Sequence, residues 1–539
     1  MKNALKKVLI LSLVVFMSLG LAACGKTERG PQVLTVAIGG EPNPLDPAIA
    51  SDSVSMAVLQ QLYHPLFEID EIGNLVNAAV DSYTVSDDGL VYTFKLKAGN
   101  TWSDGVPVTA DHYVFGAKRS VGMGSAESYY SYFITDYVKN AKKYEGKDVA
   151  DMTDIGFEVI DESTFTITLE APVPFFPSLM ISGVFYPLRP EFATEHESLW
   201  GNDINVPVNG PFVPTKINSK EEYVMKPNEH FAEADKVTLE QLIIKVMPDM
   251  DAQRMAFESG EIDIALSIND TVVVEYAGKP ELVMTNQIIN YYMLMNSASF
   301  TTAKALQDIR VRRAIQHGID REAIVTAMNA GDKYYPLYGY VPKGLAGIDG
   351  DFREEQDKAD QLIKYDPDLA KQLIAEAGYQ PGEIELVYYY NTNSMHDTVA
   401  QVMQSQLAEV GIKVTLKTGE LRTFFADRDE NGAYELARGA MSADYMDPTT
   451  FLDMLTSWAQ QKPVINDATY DGYIREAAAE KDPVKRMEIL HKAENYLVKE
   501  MAYVTPLFGY GNAYLVKAGI TGVGYDPSGH TKFAYTKMP

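Results

Sequence analysis

The chain has 539 residues and a formal net charge of −27, with 74 acidic against 47 basic residues. A surface this acidic argues against nucleic acid and against a polybasic membrane patch as partners. The single cysteine excludes an intramolecular disulfide, and the length exceeds one hydrophobic core, so we expect two or three lobes.

The first residues have the pattern of an export signal. Lysines open the chain, and an apolar run from Val8 to about Leu21 follows, which is short for a membrane span. Small residues stand directly before Cys24, which is typical of a lipobox. We therefore predict a lipoprotein signal peptide over 1–23 and a lipidated tether over 24–30, anchored by acyl chains on the cysteine. The alternative is a secretory signal with a chance cysteine at its end.

The part before about residue 300 is predicted to consist mainly of strands. Apolar runs and period-two alternation indicate buried or half-buried strands. The predicted strands cover 33–38, 92–97, 158–160, 164–169, 223–226 and 242–246.

Beyond residue 300 helices and strands alternate. Asp366 and Pro367 fit the N-cap and first position of a helix, and Gly378 fits the position just after its C-terminus. Further helices are predicted over 308–317, about 398–410 and 482 to about 501, with strands over 384–390 and from 412. This order predicts an α/β lobe.

Motifs for catalysis or metal binding are missing from the sequence. The eight histidines are scattered without a His-Glu-x-x-His pattern, and neither a phosphate loop nor a Gly-x-Ser-x-Gly elbow occurs. The segment from Asp427 imitates a calcium loop but has Arg438 where a bidentate glutamate is needed. We therefore predict no catalytic residue, metal or cofactor, and favour a binding protein over an enzyme.

One carboxylate, that of Asp444, has no obvious structural role. A strand is predicted over 434–441, and Asp447 with Pro448 fits the start of the next helix. Asp453, farther along that helix, is expected to face solvent or a neighbour. Asp444 lies between strand and helix, where it could accept hydrogen bonds from backbone N–H groups or bind a ligand.

Several segments have motifs that point to one family. They are Trp102–Val121, Asn209–Ile217, Phe257–Ala265, Asp308–Ile324, Tyr365–Tyr379 and Ala443–Pro448. Each motif alone is moderately specific, but their joint order spans the whole mature chain. Together they resemble the extracytoplasmic solute-binding proteins of peptide ABC importers, of the oligopeptide-binding type.

The resemblance implies an α/β, two-lobed, periplasmic-binding-protein-like (Venus-flytrap) fold with an extra domain inserted in lobe I. The expected bounds are 31–78, 207–293 and 509–539 for lobe I, 79–206 for the inserted domain and 294–508 for lobe II. Ligand would bind in the cleft between the lobes.

The resemblance also implies roles for individual residues. Asp444 corresponds to the carboxylate that pairs with a peptide's α-ammonium group, and such charge-assisted hydrogen bonds are strong. His396, Arg438 and Arg428 correspond to the groups that meet the peptide's carboxylate. Glu41 and Tyr510 correspond to lower-ranked contacts of the family. Ala440 and Met441 stand where the family has other residues beside the peptide's ammonium group.

By the same resemblance, the protein would be a monomer that captures short peptides and delivers them to an ABC permease with its ATPase subunits. The lipobox would hold it on the extracytoplasmic face of the cell membrane of a Gram-positive bacterium. Within the fold, the alternatives are a nickel chelate, haem, an oligosaccharide or a signalling peptide as ligand. From other classes, the alternatives are an exported hydrolase or a surface adhesin.

Overall fold

The structure is a computed structural model that describes residues 31–42, 45–193, 202–298, 303–359, 363–459 and 465–539. The predicted signal peptide, tether and lipid-bearing Cys24 lie outside the described residues. Among the residues described, no helix is both long enough and apolar enough to cross a membrane.

A mixed sheet of eleven strands runs through most of the molecule. Its parallel pairs, such as Val33–Ile38 with Gln241–Val246, are joined by long connections, as parallel pairing requires. In spatial order the strands are Ile412–Gly419, Ile384–Asn391, Leu436–Ser442, Leu282–Met295, Val504–Val516, Ile264–Ala265, Val33–Ile38, Gln241–Val246, Glu222–Pro227 and Phe212–Asn218, and Tyr334–Pro336 pairs with Val504–Val516 beside this path.

Two long antiparallel strands, Leu282–Met295 and Val504–Val516, lie at the centre of this sheet, and we call them the ribbon strands. Their pairing register shifts between Thr285 and Ile289, where the ribbon is irregular. A Cβ atom on Gly511 would lie 2.1 Å from the Thr285 carbonyl oxygen, so only glycine allows this close backbone approach. The predicted lobe boundaries at 293/294 and 508/509 fall within the ribbon strands and stay a prediction.

The side chains of the ribbon strand Leu282–Met295 alternate between two hydrophobic cores. Tyr291 and Met293 point into one hydrophobic cluster, whereas Tyr292 and Leu294 point into another. Successive side chains of a strand face opposite sides of the sheet, so this strand is covered on both faces.

A smaller antiparallel sheet of four strands lies in the region predicted to be the inserted domain. Its order is Val80–Val85, Val91–Leu96, Thr164–Thr168 and Phe157–Asp161. The helix Ala110–Met123 is in contact with it, and both belong to a hydrophobic cluster that includes Trp102 and Tyr113. Two short hairpins complete the strands, Phe67–Ile69 with Leu75–Asn77 and Gly524–Tyr525 with Thr531–Lys532.

The α-helices flank the sheets, and most of the longer ones begin at an aspartate or asparagine cap. The α-helices are Ser53–Leu62, Ala110–Met123, Tyr132–Thr135, Phe176–Leu179, Pro190–Ala193, Met250–Ser259, Asp270–Glu275, Ile309–His317, Arg321–Met328, Phe352–Lys358, Pro367–Glu376, Ser394–Glu409, Leu421–Phe425, Thr449–Leu452, Ala468–Ala479 and Pro483–Asn495.

Capping residues determine where two of the predicted helices begin and end. The Asp366 side chain accepts from the Leu369 N–H at 2.9 Å, and Gly378 has φ +92°, which confirms the predicted ends of that helix. The helix predicted from about 398 begins earlier, at Ser394, because Asn393 caps it by accepting from the Met395 N–H at 2.9 Å.

Candidate ligand-binding cleft

A cavity of about 470 Å³ opens among parts of the chain that are distant in sequence. This volume lies within the range of small-molecule sites in proteins. It is lined by Ala50, Ser51, Asp52, Ser53, Met56, Tyr130, Phe133, Ile181, Ser182, Gly183, Gln287, Ile289, Ser442, Ala443, Asp444, Tyr510, Asn512, Ser528 and His530.

Asp444 enters this cavity because the strand Leu436–Ser442 ends just before it. The Ala443 N–H donates to the Ile288 carbonyl at 2.9 Å, which fixes the end of that strand against the first ribbon strand. The Asp444 N–H then donates to Thr450 Oγ1 at 3.0 Å, which holds the turn into the next helix.

The carboxylate of Asp444 is in contact with hydroxyl groups of a segment that is distant in sequence. Tyr130 donates to Oδ1 at 3.1 Å, and Tyr132 is 3.5 Å from Oδ2. Burial raises the pKa of Asp444 to about 6, although these hydrogen bonds act in the opposite direction. In the part of the chain that the structure describes, the carboxylate accepts from tyrosines and not from backbone N–H groups.

The charge environment of this carboxylate is one-sided among the described side chains: no lysine, arginine or histidine there forms an ion pair with Asp444. A buried carboxylate held only by neutral hydroxyls retains acceptor capacity for a cation. The arrangement is therefore suited to an ammonium group that enters the cavity.

A second polar cluster contains Arg438, on the same strand six residues before Asp444. Arg438 is buried, and its Nε donates to Asn391 Oδ1 at 2.7 Å. Its guanidinium lies over the rings of Phe424 and Phe425, at 5.2 and 5.6 Å. Within the described residues no carboxylate forms an ion pair with Arg438, so its charge is available to an anionic group.

Arg428 and His396 lie next to Arg438 but differ from it in charge state or pairing. Arg428 Nη1 donates to the Arg438 carbonyl at 3.1 Å, and its Nε pairs with Asp429 at 2.5 Å. His396 is buried against the Tyr291 hydroxyl, 3.2 Å from Nδ1. Burial, and then the charge of Arg438, lowers the pKa of His396 to about 3, so the imidazole is neutral at physiological pH.

The other predicted contacts are spread more widely. Tyr510 lines the cavity together with Asp444, whereas Ala440 and Met441 are half-buried on the strand, opposite Tyr291 and Asn290 of the first ribbon strand. Glu41 is exposed and accepts a hydrogen bond from Ser219 at 3.1 Å, and it is not among the residues that line the cavity.

The sequence analysis did not identify the tyrosines that contact Asp444. Tyr130 and Tyr132 lie in a run of aromatic residues, Tyr129–Phe133, whose rings contact one another. Four aromatic residues in five positions at a chain turn was the signal that could have marked this segment.

The predicted position of Asp453 farther along the helix was wrong. Its helix is only the turn Thr449–Leu452, so Asp453 lies just beyond it and Oδ1 is buried without a hydrogen-bond partner among the described residues. Burial, followed by the charge of Asp447, raises the pKa of Asp453 to about 7. The N-cap of this turn is Pro448 and not Asp447 as predicted, although Asp447 accepts from the Thr449 N–H at 3.0 Å and pairs with Arg486 at 2.8 Å.

Metal chemistry receives no support from the side chains that are described. No group of three or more histidine, cysteine, aspartate or glutamate side chains in that part of the chain could hold an ion.

A cavity of this size, lined by segments distant in sequence and faced by a carboxylate, is typical of a protein that binds small ligands. Comparisons with known proteins agree with this class. The chain belongs to the bacterial extracellular solute-binding proteins of family 5, whose middle region matches residues 74–463.

Relatives with known names cover nearly the whole chain. The periplasmic oligopeptide-binding protein OppA of Escherichia coli is 28% identical over 550 aligned positions, which cover 98% of this chain and 97% of OppA. The unliganded, open form of the periplasmic murein tripeptide-binding protein MppA superposes with a TM-score of 0.78 at 26% identity, covering 94% of this chain and 98% of MppA. An oligopeptide transporter substrate-binding domain of Bacillus anthracis gives 0.75 at 27% identity, with coverages of 94% and 98%.

The two-lobed α/β class of solute-binding protein predicted from sequence is thereby confirmed, and the extra domain inserted in lobe I stays a prediction.

Proposed function

We propose that this protein is the receptor of a peptide ABC importer, which binds short peptides in the cleft and passes them to a membrane permease powered by ATPase subunits. The observation that carries the proposal is the Asp444 carboxylate, which faces the cavity without a described cationic partner. Every unmodified peptide has one α-ammonium group, so an anchor of this kind binds peptides without reading their side chains. The protein itself catalyses no reaction.

Arg438 supplies a partner for the other end of the peptide. Arg438 precedes Asp444 by six residues along a largely extended segment, a distance of about 20 Å at about 3.3 Å per residue. An extended peptide of about six residues spans such a distance. His396 and Arg428 adjoin Arg438 and contribute hydrogen bonds for carboxylates of ligands of other lengths. Main-chain pairing between these ends gives affinity that is independent of sequence.

The protein acts as a monomer held at the extracytoplasmic face of the cell membrane by lipid on Cys24. The lipobox of the sequence supports this, and the position of the anchor before a short polar tether leaves the receptor free to reach its permease.

Calorimetric titration tests the proposal directly. The chain from Gly25 is purified, unfolded and refolded to remove bound ligand, and titrated with a pooled set of two- to eight-residue peptides. The same pool is then titrated after N-acetylation. We expect binding of the free-amine pool and its loss on acetylation, because acetylation removes the charge that pairs with Asp444.

Asp444→Asn is the matched variant, since it keeps the size of the side chain and removes its charge. It should bind the free-amine pool far more weakly than the parent protein. Equal binding of both pools would leave a peptide receptor but remove Asp444 from its site. If neither pool bound, the proposed function would be refuted.

A further inference from the structure

The two arginines of the second polar cluster lie over the same pair of aromatic rings. The Arg428 guanidinium is 5.4 and 5.0 Å from the ring centres of Phe424 and Phe425. That of Arg438 is 5.2 and 5.6 Å from the same two centres, and both arginines are buried. Because the two cations share one aromatic platform, an anionic group that approaches one of them also comes near the other.

Arg428 already has an anionic partner in this cluster. Its Nε and Nη2 donate to the two oxygens of Asp429, at 2.5 and 2.8 Å, in the bidentate geometry that makes arginine–carboxylate pairs strong. Its Nη1 donates to the Arg438 carbonyl at 3.1 Å. All three nitrogens of the Arg428 guanidinium are therefore engaged within the described residues.

The pair of Arg428 and Asp429 lies in an irregular helix end. The helix Leu421–Phe425 continues as a π-helical turn over Ala426–Glu430, which contains both residues. Side chains of adjacent residues do not face each other on a regular α-helix, and π-helical turns occur frequently at functional sites. The turn therefore supplies Arg428 with a partner that a regular helix would direct away from it.

Arg438 differs from Arg428 because it has no anionic partner. Its Nε donates to the neutral amide oxygen of Asn391 at 2.7 Å, and no carboxylate in the described part of the chain forms an ion pair with it. The two guanidinium groups and the carboxylate of Asp429 together have one positive charge in excess, which one carboxylate of a ligand neutralises. Such a carboxylate pairs with Arg438 without competition, whereas at Arg428 it has to displace Asp429.

We propose that Asp429 determines which peptide lengths bind, because it occupies the Arg428 guanidinium and so directs the terminal carboxylate of the ligand to Arg438. This inference rests on the proposed peptide-binding function and adds a length preference to it. The preferred length is the one at which a peptide anchored on Asp444 reaches Arg438, about six residues. Peptides whose carboxylate lies nearer to Arg428 bind more weakly, since Asp429 already holds that cation.

A series of peptide lengths tests the inference by calorimetry. Peptides of alternating alanine and glycine, three to eight residues long, are titrated as free acids and as C-terminal amides. The ratio of the amide to the free-acid dissociation constant measures the carboxylate contact at each length. In the parent protein we expect this ratio to be large at one length or at two neighbouring lengths and close to one at the others.

Asp429→Asn is the variant that releases Arg428, because it keeps the size of the side chain and removes its charge. The ratio should rise about fivefold at one or more further lengths, a gain in keeping with a partly exposed ion pair. The Asp429 side chain is 23% exposed, against 4% for Arg428. The thermal midpoint of the variant reports whether its fold is intact.

Two further variants show whether the charge of Asp429 acts through Arg428. Asp427→Asn removes the same charge two positions away, where the carboxylate accepts from the Tyr389 hydroxyl at 3.0 Å and pairs with neither arginine among the described contacts. It should leave the length profile unchanged. Arg428→Met combined with Asp429→Asn should lose the fivefold gain, because the released cation is then missing.

The possible outcomes separate this inference from the proposed function. The same ratio at all lengths in the parent protein would overturn the length preference and leave peptide binding in place, whether or not any variant folds. An unchanged profile in folded Asp429→Asn, or an equal gain in Asp427→Asn, would overturn the role of Asp429. A gain that persisted in the double variant would overturn its action through Arg428. If no free-amine peptide bound, both proposals would fail together.

Discussion

The protonation of Asp444 should control peptide affinity through a predictable range of pH. Burial raises the pKa of its carboxyl to about 6 in the unbound protein, whereas a bound ammonium group favours the ionised form. A proton and the peptide therefore compete for the same oxygens. Affinity should be highest between pH 6 and the pKa of the peptide's amine, about 8.

The magnitude follows from the fraction of Asp444 that is ionised. At pH 5 about one molecule in ten has the ionised carboxylate, so the dissociation constant should be about tenfold larger than at pH 7. The increase continues at about tenfold per pH unit until the pKa of the bound form is reached. Above pH 8 the peptide loses its own charge, and binding should weaken again.

Titration of one tripeptide by calorimetry at half-unit steps from pH 4.5 to 9 measures this curve. Buffers are matched in ionic strength, since charge pairing is screened by salt. A dissociation constant that stays flat between pH 4.5 and 7 would refute the reasoning. The same slope in Asp444→Asn would do so as well, because that variant has no carboxyl group to titrate at this position.

Three further predictions concern stability and the carboxylate end of the ligand. In the unbound protein, Asp444→Asn should raise the thermal midpoint at pH 8 but not at pH 4. The raised pKa of Asp444 means that its carboxyl lowers the stability of the fold progressively as the pH rises from about 4 to about 6, and by a constant amount above that. Arg438→Met should abolish the preference for free-acid over C-terminally amidated peptides in calorimetry. Arg486→Met should lower the free energy of unfolding in urea by about 3–5 kcal/mol, because it leaves the buried Asp447 without its partner.

One control variant and three contradicting outcomes test these predictions. Arg475→Met removes an exposed arginine next to Asp471 and should change the free energy of unfolding by less than about 0.5 kcal/mol. If Arg475→Met lowered the free energy of unfolding as much as Arg486→Met does, burial would not be the reason that the Arg486–Asp447 pair stabilises the fold. An unchanged thermal midpoint of Asp444→Asn at pH 8 would mean that its carboxylate carries no desolvation penalty. If Arg438→Met still preferred free-acid peptides, another cationic residue would have to bind the peptide's carboxylate.

Local signals in the sequence were sufficient for most strands and helices. The strand predicted over 33–38 is present as Val33–Ile38, and the Asp366-Pro367 start of a helix is present as predicted. These features depend on neighbours in sequence, on periodicity and on capping residues. The end of the strand before Asp444 was also visible, because an acid directly after an apolar run is unusual.

Contacts between distant segments could not be predicted in this way. Tyr130 and Tyr132 lie more than three hundred residues from Asp444 in the sequence, and no local pattern in either segment indicates that they are in contact. The length of the helix before Asp453 was misjudged. It is a turn of four residues that ends at Leu452, so Asp453 lies beyond it, and burial and the charge of Asp447 raise the pKa of Asp453.

The irregular pairing of the ribbon strands has a mechanical consequence. The register shift between Thr285 and Ile289 contains Gln287, whose side chain lines the cavity. Slippage of a paired strand by one residue would turn every side chain to the wrong face, so we expect the ribbon to respond to load by bending or twisting at this shift or at the second one, between Tyr291 and Tyr292. A ligand in the cavity would contact Gln287 at the first of these shifts. The same short segment of the ribbon would then both contact the ligand and set the angle between the parts of the sheet on either side of it.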